Sequence, residues 1–174
     1  MRETPTVSPH LHVPLQSGDD RILAAMGRRY TTATYLRRIA KAEGFNLTTD
    51  VIVGFPSEDE AAFERTLRVV EAAGITKVHV FPYSPRPGTR TAAEDTVPLE
   101  VKRYRGARLR AVSAEACRRR WRGKIGSEAT VLVDRPGRGY ADDYTPWLVD
   151  APVGEIVRAR ARRVAREGIV GAVV

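Results

Sequence analysis

Three apolar, β-branched segments, each followed or preceded by a helix-like stretch, constrain this chain more than any other feature. Leu11–Gln16 alternates apolar and polar residues and runs into Ser17-Gly18, the pattern of a strand ending in a turn. Leu47–Val53 is a continuous apolar run holding Val51, Ile52 and Val53, as expected of a strand buried on both faces. Lys77–Tyr83 is again rich in β-branched and aromatic residues. Each segment begins about 30 residues after the last, the length a right-handed crossover through a helix requires, so the three strands are expected to be parallel neighbours. Such a sheet has two open edges and one uncovered face, and something must complete it.

The intervening stretches carry helix punctuation. Asp19 is placed to cap a short helix bearing Ile22, Leu23 and Met26, with Gly27 as its stop. Thr31-Thr32 opens a second, with Tyr35, Leu36 and Ile39 on one side and Gly44 at its end. Ser57 stands three residues before Glu60, the spacing of a capping box, ahead of Phe63, Leu67, Val69 and Val70. Thr96-Val97-Pro98 introduces a long basic helix to about Arg122, with a thin apolar stripe of Val101, Leu109 and Val112. Beyond Gly123 come short β segments at residues 129–134, 145–150, 155–162 and 169–174, punctuated by glycine and proline as in a small antiparallel barrel. The expected division is residues 1–97 for the parallel α/β part, 98–120 for a connector helix and 121–174 for the β domain.

The net charge of +8 favours a polyanionic partner. A hydrophobic fraction of 43% suits a folded chain. No apolar run is long enough to span a bilayer and Met1-Arg2-Glu3-Thr4-Pro5 is not a secretory signal, so a cytoplasmic location is expected. The single cysteine, Cys117, excludes an internal disulfide and a cluster held by several thiolates of this chain. His10, His12 and His79 lack metal-ligand spacing, and no metal site is expected.

Ligands of parallel α/β sheets bind at the carboxyl ends of the strands. Gln16-Ser17, Gly54 and Tyr83-Ser84 stand there, although ordinary turn chemistry also accounts for them. Gly54-Phe55-Pro56 is too short for a phosphate loop. In the β domain, Arg158, Arg160 and Arg162 alternate with Val157, Ala159 and Ala161, so a strand would present arginines on one face and bury the other. Arg118, Arg119, Arg120, Arg122 and Lys124 precede that domain; the two groups together read as a phosphate-tracking surface or as a solvated charged face. Trp147 reads as core.

Three segments, PHLHVPLQSGDDRILAAMGRRYT (Pro9–Thr31), TDVIVGFPSEDEAAFERT (Thr49–Thr66) and VFPYSPRPGT (Val80–Thr89), resemble in order and spacing the signature blocks of radical-SAM methylthiotransferases. Ser57 departs from the glycine usual in that family. The resemblance implies the latter half of a radical-SAM partial TIM-like barrel followed by a small antiparallel β-barrel, the RNA-gripping TRAM domain. It also implies that Gln16, Arg28 and Asp50 contact the methionine part of S-adenosylmethionine, that Gly54 lies near the adenine, and that the partner is tRNA. The family uses 4Fe-4S clusters, whose CxxxCxxC and auxiliary cysteines lie upstream of the region matched here. The implied reaction places a methylthio group on C2 of a modified adenosine beside the anticodon; KVHVFPYSPRPGT is most similar to the branch acting on N6-threonylcarbamoyladenosine, with the isopentenyladenosine branch next.

Three readings stay open: a C-terminal fragment of such an enzyme, which is preferred; a stand-alone TRAM-type RNA-binding module; or one subunit completed by a cysteine-bearing N-terminal half on another chain. With one cysteine the chain alone is expected to be inactive. Iron and sulfide analysis after anaerobic reconstitution should find no stoichiometric cluster on it; a full complement of iron would contradict the reading.

Overall fold

The computed structural model describes residues 7–91 and 93–174. The first six residues of the segment read as half barrel, and Ala92 within it, lie outside that range. Two compact units result: His12–Glu43 with Leu47–Ala116, and residues 7–11 with Gly44–Asn46 and Cys117–Val174.

A three-stranded sheet runs in the order β1 (His10–His12), β2 (Asn46–Val53), β3 (Lys77–Pro82). β2 and β3 pair in parallel from Thr48↔Lys77 to Val53↔Pro82, and past the end of β1 Gln16 makes a parallel bridge to Val51. Helices α1 (Asp20–Ala25) and α2 (Thr32–Ile39) fill the first crossover and α3 (Glu60–Ala72) the second. The core of this unit includes Leu15, Ile22, Leu23, Phe63, Val70 and Ile75, all essentially fully buried. Each such side chain contributes about 1.5–3 kcal/mol by leaving water. β2 differs from the expectation of burial on both faces. Val51 and Val53 are buried, whereas Asp50 and Ile52, pointing the other way, are half-buried. Among the described residues no helix is long and apolar enough to cross a membrane.

Two of the expected caps form: Asp19 accepts from the Arg21 and Ile22 N–H groups, and Thr31 accepts from Thr34. The Ser57–Glu60 capping box does not. Ser57 sits at φ 71, and Asp59 caps α3 by accepting from Ala62. The reason lies one residue away, in Glu58. Its buried carboxylate turns back to accept the Gly54 N–H at 2.6 Å and pairs with Arg105 at 2.8 Å. Arg105 belongs to α4 (Leu99–Arg122). Burial pushes the Glu58 carboxyl up, and the Gly54 N–H and the Arg105 charge pull it back without cancelling the rise. Nor is α4 held chiefly by the expected apolar stripe: Leu109 is buried, but so are Lys102, Arg105 and Ser113. Lys102 lies over Gly54 (φ 72), where a Cβ would come within 2.4 Å of the lysine Cγ, and its ammonium donates to the Tyr83 carbonyl at 2.9 Å.

The second unit is a closed barrel of β4 (Glu128–Arg135), β5 (Arg138–Ala141), β6 (Pro146–Leu148), β7 (Ile156–Ala165) and β8 (Gly168–Val173), ordered β4-β5-β6-β8-β7. It is mixed rather than wholly antiparallel, since β6 and β8 pair in parallel while the other neighbours are antiparallel. Trp147 fills its centre with Val131, Val133, Ala159, Ala161 and Ile169, and Trp121 near the end of α4 joins that cluster. Gly171 is required beside it, because a Cβ there would lie 2.7 Å from the indole ring.

Glu58→Ala would remove the buried carboxylate that pairs with the Arg105 guanidinium and leave it the exposed Glu60 at 3.4 Å, and should lower unfolding stability by roughly 3–5 kcal/mol. Urea denaturation checks this; a loss below about 1 kcal/mol would show that the pair does not hold α4 on the sheet.

Candidate functional site: a cavity at the carboxyl end of the parallel strands

A cavity of about 560 Å³ opens where β2 and β3 end, within the size range of small-molecule sites. Gln16, Arg28 and Asp50 line it together, although they come from a post-β1 turn, the segment after α1 and β2. The backbone fixes Gln16 firmly. Its N–H donates to the Asp50 carbonyl at 2.8 Å and its own carbonyl accepts from Ile52 at 2.9 Å, which holds it at φ 65. The Arg28 N–H donates to the Leu23 carbonyl, closing the end of α1.

Another part of the lining is apolar and aromatic. Ile52, Phe55, Phe81 and Tyr83 line the cavity, and Phe55 and Tyr83 meet edge to face with ring centroids 5.3 Å apart. The Tyr83 hydroxyl donates to the Thr91 carbonyl at 2.7 Å, tying the loop after β3 to the site. That loop also supplies Arg86 and Arg90, and Arg90 donates to the Ala25 carbonyl at 3.0 Å. Sequence reasoning stopped at Tyr83-Ser84 and missed these two arginines. Their position just past a strand's carboxyl end was the available signal.

One carboxylate, several guanidinium groups and an aromatic wall suit a zwitterionic ligand with a flat heterocycle. Gly54, in contrast, is not part of the cavity lining. Its N–H is taken by Glu58 and its open side by Lys102, so what the structure requires of this glycine is left-handed backbone and room for the lysine.

Asp50 has company the linear spacing did not show. His12 Nε2 lies 3.2 Å from its Oδ2, and His79 Nδ1 lies 3.4 Å from its Oδ1. Among the described residues this is a group whose ligand atoms all fall within 4.8 Å of one another. The expectation of no metal-ligand arrangement rested on sequence distance, which the sheet register overrides.

The basic residues of the other unit have unequal roles. Arg120 donates to the Asp143 carboxylate at 3.0 Å and to the Gly44 and Phe45 carbonyls, and Lys124 pairs with the same carboxylate at 2.9 Å. These two are anchors. Arg118, Arg119 and Arg122 are exposed on the last turns of α4. On β7, Arg158, Arg160 and Arg162 are exposed while Ala159 and Ala161 are buried. Arg158 and Arg160 both hold Glu128 on the neighbouring strand, at 2.6 Å each. Cys117 is partly buried; burial pushes its thiol up to about 11, so it stays protonated and is a poor ligand for iron.

Comparison with known proteins adds the family. A family model described as the Radical SAM superfamily matches residues 2–70. The tRNA-2-methylthio-N(6)-dimethylallyladenosine synthase of Cereibacter sphaeroides is 39% identical over 180 residues, covering 96% of this chain and 41% of that protein. A protein of the same name from Corynebacterium efficiens is 44% identical over 150 residues, 83% of this chain and 28% of that protein. The threonylcarbamoyladenosine tRNA methylthiotransferase MtaB of Thermotoga maritima is 36% identical over 180 residues, 97% and 42% respectively. The chain thus spans about two fifths or less of the length of these relatives.

Asp143 gives the basic end of α4 a pH signature. Burial works to raise its carboxyl pKa, but the hydrogen bonds from Thr145 and the Lys124 charge outweigh burial and bring it down to about 2, from an ordinary 3.8. A carboxyl depressed in the folded state stabilises it above the unfolded value, and that contribution is lost as pH falls from about 4 towards 2. Asp143→Asn should therefore cost about 2 kcal/mol at pH 7, with the difference from wild type shrinking as pH falls from about 4 and vanishing only below about pH 2. Denaturation of both proteins across that range checks it; a pH-independent difference would contradict the assigned charge pairing.

Proposed function

Since the chain belongs to the tRNA methylthiotransferases of the radical SAM superfamily, we propose that it forms the S-adenosylmethionine-binding and tRNA-binding part of an enzyme that methylthiolates C2 of an N6-modified adenosine beside the anticodon. The observation that carries this reading is the convergence of Gln16, Arg28 and Asp50 on one cavity.

The donor set fits the cofactor. The Asp50 carboxylate and the Gln16 amide oxygen can accept from its ammonium, and Arg28 can pair with its carboxylate. Ile52, Phe55 and Tyr83 offer an apolar wall for the adenosyl part, and their bulk excludes water from it. Gly54 supports that wall from behind through Lys102 and Glu58 rather than by touching the ligand. The chemistry that S-adenosylmethionine and 4Fe-4S clusters supply when bound is one-electron activation of a C–H bond and sulfur insertion. The clusters find no ligand set here, as Cys117 is the chain's single cysteine. A cysteine-bearing N-terminal half, on the same or another polypeptide, is the partner this reading requires.

For tRNA, the barrel reads as a TRAM domain. Arg158, Arg160 and Arg162 on β7 and Arg118, Arg119 and Arg122 on α4 would contact phosphates, while Arg120 and Lys124 are held through Asp143. A tRNA substrate is consistent with a cytoplasmic enzyme. The segment Val80–Thr89 favours N6-threonylcarbamoyladenosine as the adenosine acted on. The higher identities to the two proteins named for dimethylallyladenosine favour that substrate as the second reading.

Producing the chain with the cysteine-bearing half of a relative, in a host lacking methylthiotransferases, tests the reading. Mass spectrometry of tRNA nucleosides should find a 2-methylthio derivative of one of those two adenosines; its absence from folded, cluster-loaded protein would overturn the assignment. Replacing Arg158, Arg160 and Arg162 with alanine should weaken tRNA binding and lower the salt slope by about 2–3. Unchanged affinity at low salt would remove β7 from the RNA surface.

A further inference from the structure

The open face of the parallel sheet holds a cluster of which the cofactor reading uses only Asp50. His12 on β1, Asp50 on β2 and His79 on β3 stand side by side across three neighbouring strands. The parallel register pairs Asp50 directly with His79, and the Val13 N–H donating to the Thr48 carbonyl sets His12 opposite the same stretch of β2. The two imidazole rings stack with centroids 5.4 Å apart, and each has a nitrogen within 3.4 Å of an Asp50 carboxylate oxygen.

We propose that His12, Asp50 and His79 form a binding site for a divalent transition-metal ion of the Zn²⁺ or Fe²⁺ class. Two imidazole nitrogens and a carboxylate are the donor set such ions take. The spacing agrees. Ligand atoms about 2.0–2.1 Å from a tetrahedral ion stand about 3.4 Å from one another. The two nitrogens lie near that distance from the carboxylate, His12 Nε2 at 3.2 Å from Oδ2 and His79 Nδ1 at 3.4 Å from Oδ1, and one ligand atom from each residue falls within 4.8 Å of the others.

One ligand is also pre-oriented. His12 Nδ1 lies 3.0 Å from the Oγ1 of buried Thr48. With Nδ1–H donating to that oxygen, the Nε2 lone pair is left facing Asp50, the outer-shell arrangement that fixes a metal-binding imidazole. All three side chains keep partial solvent exposure, at 36%, 24% and 43% for His12, Asp50 and His79. Three protein ligands and access from solvent leave a coordination position open, as in sites that bind or polarise a further ligand. Asp50 also lines the cavity, so that position borders the cavity. The ion and an ammonium group would compete for this carboxylate. The inference rests on the sheet register and not on the methylthiotransferase reading, and either can fail without the other.

Co²⁺ titration of the full chain carrying Cys117→Ser, which removes the sole thiol, tests it by visible absorption, with Zn²⁺ followed by calorimetry. One equivalent should bind and give the intense d–d bands of a four- or five-coordinate centre. His12→Ala, His79→Ala and Asp50→Asn should each weaken binding at least tenfold, and Thr48→Val should weaken it about tenfold. His10→Ala should leave it unchanged, and circular dichroism establishes that each variant is folded. Absence of stoichiometric binding overturns the site, as does binding that survives His79→Ala, the most exposed of the three changes, or an aquo-type cobalt spectrum alone.

Discussion

Parallel pairing of β2 with β3 decides which side chains share the open face of the sheet, and both candidate sites are consequences of it. In a parallel pair, residues in register present their side chains on the same side. Asp50 thus stands beside His79 and Ile52 beside Phe81, while Val51 and Val53 turn towards the helices. A slip of one residue would send Asp50 into the apolar layer and bring Val51 to the open face. The buried faces of α1, α2 and α3 oppose that slip, because the layer they cover is mostly apolar and has no place for an ionised carboxylate.

Polar interactions then complete what apolar packing begins. The first turns of α4 are fastened at the end of β2 by Arg105 on Glu58 and by Lys102 over Gly54. Since the Lys102 ammonium also holds the Tyr83 carbonyl, the same fastening positions the aromatic wall of the cavity. In the barrel unit Asp143 has the comparable role, gathering Arg120, Lys124 and Thr145 around one buried carboxylate. Residues that a sequence assigns to ligands can also have framework contacts, as Gly54, Arg120 and Lys124 do.

Local signals in the sequence were reliable where the physics is local. Asp19 and Thr31 cap the helices they precede, because a cap needs only the next three N–H groups. The three strands and their spacing were legible for the same reason. Ser57 misled, since a long-range partner, Arg105, draws Glu58 inward and leaves Asp59 to cap α3. β5 escaped notice because four residues, Arg-Gly-Tyr-Ala, carry too little apolar alternation to register. The parallel β6–β8 contact is set by barrel closure, which no short segment encodes. Gln16, Arg28 and Asp50 were identified from the family resemblance and do share a cavity, whereas Arg86, Arg90 and the two histidines depended on loop path and register.

The central claim is that the carboxyl rim of this small parallel sheet is a ligand site for S-adenosylmethionine. Titrating S-adenosylmethionine into isotopically labelled chain and following backbone and side-chain amide resonances tests it most directly. The account predicts saturable shifts concentrated at Gln16, Arg28, Asp50, Phe55 and Tyr83, with the barrel resonances unmoved. Shifts confined to the basic barrel, or none at millimolar ligand, would contradict it.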